Sequence, residues 1–153
     1  MSRVWFWLPA ALSAALIWSL SGRDFSSTES SQKLFPLLRW LLPNASAATV
    51  EMLHLLTRKG AHVAEYFVFG LLLFRAVRAP EHGWRLRWAI IALLIAAAYS
   101  GLDELHQMFV PSRGPSGWDC LIDISGAAVA QLAAWATLKG EGRTGAAVAP
   151  RPL

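Results

Sequence analysis

Residues 88–108, WAIIALLIAAAYSGLDELHQM, decide the fold. The part 88–102 carries no charge, and Asp103, Glu104 and His106 follow directly after it. An uncharged stretch of this length is typical of a helix that crosses a bilayer, and ionisable groups at its end are costly unless they have a role. The sequence therefore predicts a membrane helix with its chemistry at one end.

The composition favours a membrane protein over a soluble one. The chain has 153 residues, enough for one domain, and is 55% hydrophobic but only 16% charged. Average soluble domains carry about 25% charged residues, and disorder requires low hydrophobicity. The single cysteine, Cys120, excludes an internal disulfide and a multi-cysteine metal site. The net charge of +4 comes without a nucleic-acid-binding motif.

Three more apolar stretches complete the prediction of an all-α integral membrane bundle of four transmembrane helices within residues 1–140. These stretches cover residues 4–22, 59–77 and 119–138. The first stretch also fits a cleaved signal peptide, because Arg3 precedes its apolar core.

The connection at residues 21–57 is predicted to be an interfacial or outer loop. Residues 23–33 are polar and serine-rich, which indicates a loop, whereas residues 34–42 are apolar but interrupted and suit an interfacial segment. After Pro43, a helix is expected to run from about residue 46 into the second span. The tail, residues 141–153, is rich in Gly, Ala and Pro and is predicted to be disordered.

The distribution of basic residues predicts the orientation. Lys and Arg concentrate on the cytoplasmic side of membrane proteins. The turn at residues 78–87 and the tail are basic, whereas the basic residues of the first loop act against this bias. We expect a multi-pass protein of the bacterial inner membrane, with both termini in the cytoplasm.

On this topology, polar residues from three helices meet at the outer membrane face. Tyr99, Asp103 and Gln107 share one helix face, and Asp123 stands above a stripe of small residues that would let helices approach closely. The candidate catalytic residues are His62, Asp103, Glu104, Arg113 and Asp123. The candidate substrate-binding residues are Lys59, Tyr66, His106, Gln107 and Asp119.

Each of these residues also has a structural interpretation, as a solvated helix end, a satisfied core histidine, a snorkelling lysine or an internal ion pair. If they form a site, a histidine with a carboxylate can act as general base, and the same groups could hold a divalent metal. Arg113 and Lys59 could clamp a phosphate. The cofactor is therefore left unknown, with a divalent metal as one option.

Three motifs, in this order and spacing, resemble the VanZ-like membrane proteins. They are residues 58–66 (RKGAHVAEY), residues 103–113 (DELHQMFVPSR), and Asp119 with Asp123 and Gly126. The resemblance covers residues 5–138. It implies a small multi-span bacterial membrane protein of the cell envelope, linked to glycopeptide antibiotic resistance.

Three classes of function stay open. The protein could act on or bind an envelope lipid or lipid-linked precursor at the outer leaflet, with hydrolysis or transfer at a phosphate ester as the reaction. It could be a non-catalytic accessory or binding protein. It could be a proton-coupled transporter, although four short spans without broken helices are unusual for one. No nucleic-acid partner is expected, and the oligomeric state is left open.

Overall fold

A computed structural model describes residues 3–22, 27–110 and 116–139, with only the backbone course for residues 27–33. These ranges contain five helices and no strand, so the all-α prediction is confirmed. The helices are α1 (Val4–Leu20), α2 (Ser27–Leu41), α3 (Ala47–Arg78), α4 (Leu86–Gln107) and α5 (Gly117–Leu138). The tail predicted to be disordered lies outside the described residues.

Three of these helices, α3, α4 and α5, are long and apolar enough to cross a membrane. The helix α1 is apolar but has only 17 residues. At about 1.5 Å per residue it is roughly 26 Å long, slightly less than a hydrocarbon core of about 30 Å. A multi-pass membrane protein with three spanning helices is supported, and the fourth crossing, by α1, stays a prediction.

The helix α1 packs against the bundle. Ala10 and Ile17 are buried in its core, and the hydroxyl of Tyr99 in α4 donates to the backbone oxygen of Ala14 at 2.6 Å. Since Ser21, just after α1, also contacts the end of α4, the two helices run in the same direction. The first apolar stretch is therefore an integral part of this fold.

The loop prediction for residues 23–33 is wrong where the structure describes the chain, because α2 begins at Ser27. Residues 27–33 contain Glu, Gln and Lys, which favour helix, and they continue into the apolar segment that holds α2 against α3. Phe35 packs edge-on against His54 of α3, with 5.0 Å between ring centroids. His54 is buried, although its sequence context indicates an ordinary interfacial residue.

The helix α3 is continuous over 32 residues, which confirms the predicted run from residue 46 into the second span. Its start is capped by Ser46, whose hydroxyl accepts the backbone N–H of Thr49 at 3.1 Å. Its length of about 48 Å exceeds a hydrocarbon core of about 30 Å. The helix α3 is therefore longer than one crossing of that layer requires.

Two glycines bring α3 and α5 into close contact. A Cβ atom at Gly126 would lie 2.5 Å from the backbone oxygen of Val63, and one at Gly70 would lie 3.0 Å from the Cβ atom of Ala130. Ala127 and Ala130 are completely buried in this contact. The predicted small-residue stripe of α5 is thus confirmed as the packing surface that meets α3.

Candidate functional site

The polar side chains gather at one end of the bundle, which we call the polar end. It is the end at which α1 and α4 finish and α5 begins. The helix α5 is capped there by Ser116, whose hydroxyl accepts the backbone N–H of Asp119 at 3.3 Å. Residues 59–66 of α3 face the same region, as their contacts with α5 show.

The centre of the polar end is a hydrogen-bonded group from three helices. One carboxyl oxygen of Asp123, on α5, lies 3.0 Å from Nδ1 of His62 on α3, and the other accepts the hydroxyl of Ser100 on α4 at 2.9 Å. Asp123 and Ser100 are at most 1% exposed, whereas the His62 side chain is 16% exposed. If the His62 proton is on Nδ1, its Nε2 keeps a lone pair that can accept a proton.

Sequence reasoning missed Ser100. Ser100 lies three residues before Asp103 in an otherwise apolar run of α4, which is close to the same helix face. That spacing could have indicated Ser100, because a hydroxyl one helical turn from a buried carboxyl group lies close enough to join the same polar cluster.

Asp103 connects α4 to the end of α1. Its Oδ2 accepts the hydroxyl of Ser21 at 2.7 Å and the side-chain amide of Gln107 at 2.9 Å. Asp103 is 1% exposed, and its Oδ1 has no hydrogen-bond partner among the described residues. Ser21 and Asp103 are 82 residues apart in the chain, so their partnership is a finding of the tertiary structure.

Glu104 connects α4 to the start of α5. Its Oε2 accepts the backbone N–H of Ser116 at 2.6 Å, while Oε1 is buried without a partner in the described ranges. Glu104 lies within electrostatic range of the carboxyl groups of Asp103, Asp119 and Asp123. The polar end therefore concentrates four carboxyl groups from two helices.

At the edge of the polar end, Lys59 of α3 forms an ion pair with Asp119 of α5. The Lys59 side chain is 32% exposed and that of Asp119 is 14% exposed. The pair therefore joins α3 to α5 one turn of each helix away from His62 and Asp123. Because Lys59 already has an anionic partner, its capacity to clamp a phosphate is reduced.

Tyr66 and His106 occupy different parts of the polar end. Tyr66 is fully buried, and its hydroxyl lies near Ser100 and the carboxyl groups of Asp123 and Asp103 without a hydrogen bond of normal geometry. His106 stacks on Trp18 of α1, with ring centroids 4.0 Å apart. His106 thus faces α1.

Arg113 lies outside the described residues, so its position relative to the other candidates is not part of this geometry. Within residues 3–22, 27–110 and 116–139, no three His, Cys, Asp or Glu side chains are grouped closely enough to hold a metal ion. The divalent metal stays a hypothesis. The described side chains themselves can provide a base, hydrogen-bond acceptors and one lysine.

The comparison with known families agrees with the motifs. The VanZ/LLP1 family model matches residues 4–138. The chain belongs to the VanZ/LLP1 family. The match extends from the start of α1 to the end of α5, and so includes every described residue of the polar end. No curated protein and no solved structure matches the chain.

Proposed function

We propose that this VanZ/LLP1-family protein uses its polar end to bind the polar part of a cell-envelope lipid or lipid-linked precursor, with His62 as general base. The observation that carries the proposal is the group formed by His62, Asp123 and Ser100. Three helices position one partly exposed histidine, and a buried carboxylate orients its ring. That arrangement is typical of a histidine that takes up a proton.

The position of the group in the bundle supports a lipid ligand. Ionisable side chains inside membrane helices cost several kcal/mol when they lack partners, and they usually mark functional sites. The polar end lies at the ends of three helices. In a helix that crosses a bilayer, the ends are the parts that meet the lipid headgroups. A lipid headgroup can therefore reach this site from the membrane.

The charges of the described residues favour one part of such a lipid. The carboxyl groups of Asp103, Asp119 and Asp123 lie within electrostatic range of Glu104, and the described cation at the edge, Lys59, is paired with Asp119. An amine or hydroxyl group fits this acidic environment better than a phosphate, which the carboxylates repel. We therefore expect an amine or hydroxyl group of the ligand to face these carboxyl groups and its phosphate to lie away from them.

A second candidate function, a non-catalytic accessory or binding protein, is favoured by the internal hydrogen bonds. Asp103 links α4 to the end of α1, and Asp123 links α5 to both α3 and α4. Groups that are satisfied by one another can hold a bundle together without taking part in a reaction. The two functions differ in whether His62 must accept a proton.

Replacement of His62 by asparagine separates these functions. The asparagine side-chain N–H can replace the Nδ1–H that faces Asp123, but it offers no base in place of Nε2. Bacterial cells that produce the protein are compared with cells that carry an empty vector, by mass spectrometry of envelope lipids and by teicoplanin susceptibility. The matched control is His82→Asn, in the exposed turn before α4.

If His62 is a catalytic base, we expect the His62→Asn protein to reach the wild-type amount in cells and to melt at the wild-type temperature. The difference in envelope lipids between producing cells and empty-vector cells should then disappear. Loss of a general base lowers a rate by about 10²- to 10⁴-fold. A fully active His62→Asn protein would contradict the catalytic proposal and favour the accessory function. Identical lipid profiles with wild type and with empty vector would contradict the lipid proposal altogether.

A further inference from the structure

An apolar groove runs between the first half of α4 and the second half of α5, at the opposite end of the bundle from the candidate site. Its volume is about 470 Å³, within the range of ligand pockets. We call it the α4/α5 groove. Its lining includes Trp84, Leu86, Leu93, Ala128, Leu132 and Trp135.

The walls of the α4/α5 groove suit a hydrocarbon chain. Gln131 is the polar residue among those that line it, and its side-chain amide donates inward, to the backbone oxygen of Gly70 on α3 at 3.1 Å. Both helices are long and apolar enough to span a membrane, so the groove is open to lipid acyl chains. An acyl chain can fill such a groove by packing against its apolar side chains.

Three basic residues lie close in sequence to Trp84 and Trp135, which form one end of the groove. The ammonium group of Lys139 lies 4.1 Å above the centre of the Trp135 ring. Arg85 and Arg87 lie on either side of Leu86, which lines the groove, and both are more than half exposed. Their guanidinium groups lie over the neighbouring Trp88 ring, 4.9 Å and 5.5 Å from its centre. Glu81 pairs with both arginines, so the three cations outnumber the acid here and leave positive charge for an anion.

We propose that the α4/α5 groove retains one anionic phospholipid, with an acyl chain along the groove and the phosphate group against Lys139, Arg85 and Arg87. The excess of positive charge at the groove end favours an anionic headgroup. A zwitterionic lipid neutralises the three cations less completely. A second copy of this chain, inserted with the same orientation, would place its own basic end against these residues, and the like charges would repel.

This lipid site is independent of the proposed function, because it uses residues of the opposite bundle end. Native mass spectrometry of the full chain, released from detergent micelles, tests it. The micelles contain either phosphatidylglycerol or phosphatidylcholine with identical acyl chains. We expect the fraction of wild-type protein that retains one phosphatidylglycerol molecule to be at least about tenfold higher than the fraction that retains phosphatidylcholine. Each basic residue near a headgroup adds attraction for an anionic lipid.

Two kinds of variant identify the site. Ala128→Phe fills the groove, and the variant protein should retain neither lipid. The control is Ala136→Phe, on the exposed surface of α5 outside the groove lining, and this variant should retain the lipids as wild type does. The double variant Lys139→Gln with Arg85→Gln should lose the preference for phosphatidylglycerol, and Arg58→Gln on α3 should keep it. Thermal melting of each variant shows whether it still folds. The double variant tests the proposal independently, because it changes the charge near the headgroup and leaves the groove itself unaltered.

Equal retention of the two lipids by wild type would overturn the proposal. An unchanged preference in the double variant would overturn it as well. A wild-type dimer that Ala128→Phe separates into monomers would show that a second copy occupies the groove, and would also refute a lipid occupant.

Discussion

Replacement of Gly126 by alanine forces α3 and α5 apart at the level of the candidate site. The new Cβ atom would lie 2.5 Å from the backbone oxygen of Val63, whereas ordinary contacts begin at 3.4 Å. The two helices must therefore separate by about 0.9 Å to restore an ordinary contact. Backbone atoms on both sides make this separation costly, because no flexible side chain can move out of the way.

The same displacement reaches the adjacent hydrogen bond. His62 precedes Val63, and its Nδ1 lies 3.0 Å from Asp123. A rigid separation would lengthen this contact beyond the range of roughly 2.7–3.2 Å that is typical of hydrogen bonds to oxygen. Overpacking costs about 1–3 kcal/mol, and a hydrogen bond to a charged group is worth about 1.5–3 kcal/mol.

These two contributions add to about 4 kcal/mol, and the gain of about 0.5–1 kcal/mol from alanine in a helix interior reduces the expected destabilisation of Gly126→Ala to about 3 kcal/mol. At roughly 2–4 °C per kcal/mol for a chain of this size, the melting temperature should fall by about 6–12 °C. Circular dichroism of the detergent-solubilised protein measures the fall, and the assay of envelope lipids should show a loss of function.

Gly101→Ala is the matched control, because a Cβ atom there meets nothing within 4 Å. In the interior of α4, alanine should stabilise the helix by about 0.5–1 kcal/mol relative to glycine. If Gly126→Ala melted at or above the wild-type temperature, the close approach of α3 and α5 would not hold the bundle together. The reasoning about the site would then be refuted as well.

Two further predictions use matched pairs in which only one hydroxyl makes a hydrogen bond of normal geometry to another helix. Tyr99→Phe removes a hydrogen bond to the backbone of α1 and should cost about 0.5–1.5 kcal/mol, whereas Tyr66→Phe removes a buried hydroxyl without a hydrogen bond among the described residues and should be neutral or stabilising in thermal melts. Ser21→Ala removes a donor to the buried Asp103 and should cost about 1–3 kcal/mol, whereas Ser19→Ala removes only an exposed bond within α1 and should change the melting temperature little. Equal effects within either pair would contradict the contacts on which it rests.

The long helices could be predicted from the sequence because their signals are local. An uncharged run such as residues 88–102 predicts a buried or membrane helix, since a helix satisfies the backbone hydrogen bonds within the segment itself. The start of α2 could not be predicted in this way. Its first residues are polar, and their helical state depends on the apolar part of α2 that packs against α3.

The candidate site was predictable only as a set of residues. Helical spacing placed Asp103 and Gln107 on one face and predicted that Asp123 lies above a stripe of small residues, and the structure confirms both arrangements. The pairing of Asp123 with His62 and Ser100 was not predictable, because it joins three helices that are distant in sequence. Spacing along one helix does not determine which helices become neighbours.

The sequence by itself determined the class of this protein, the family to which it belongs and the end of the bundle at which its polar residues lie. These properties follow from hydrophobicity, helical periodicity and the order of short motifs, which are visible along the chain before it is known which helices are neighbours. Only the tertiary structure decided the partners of each buried group. Those partners depend on how closely the helices pack, and the absence of a side chain at Gly126 brings α3 near enough to α5 for His62 to meet Asp123.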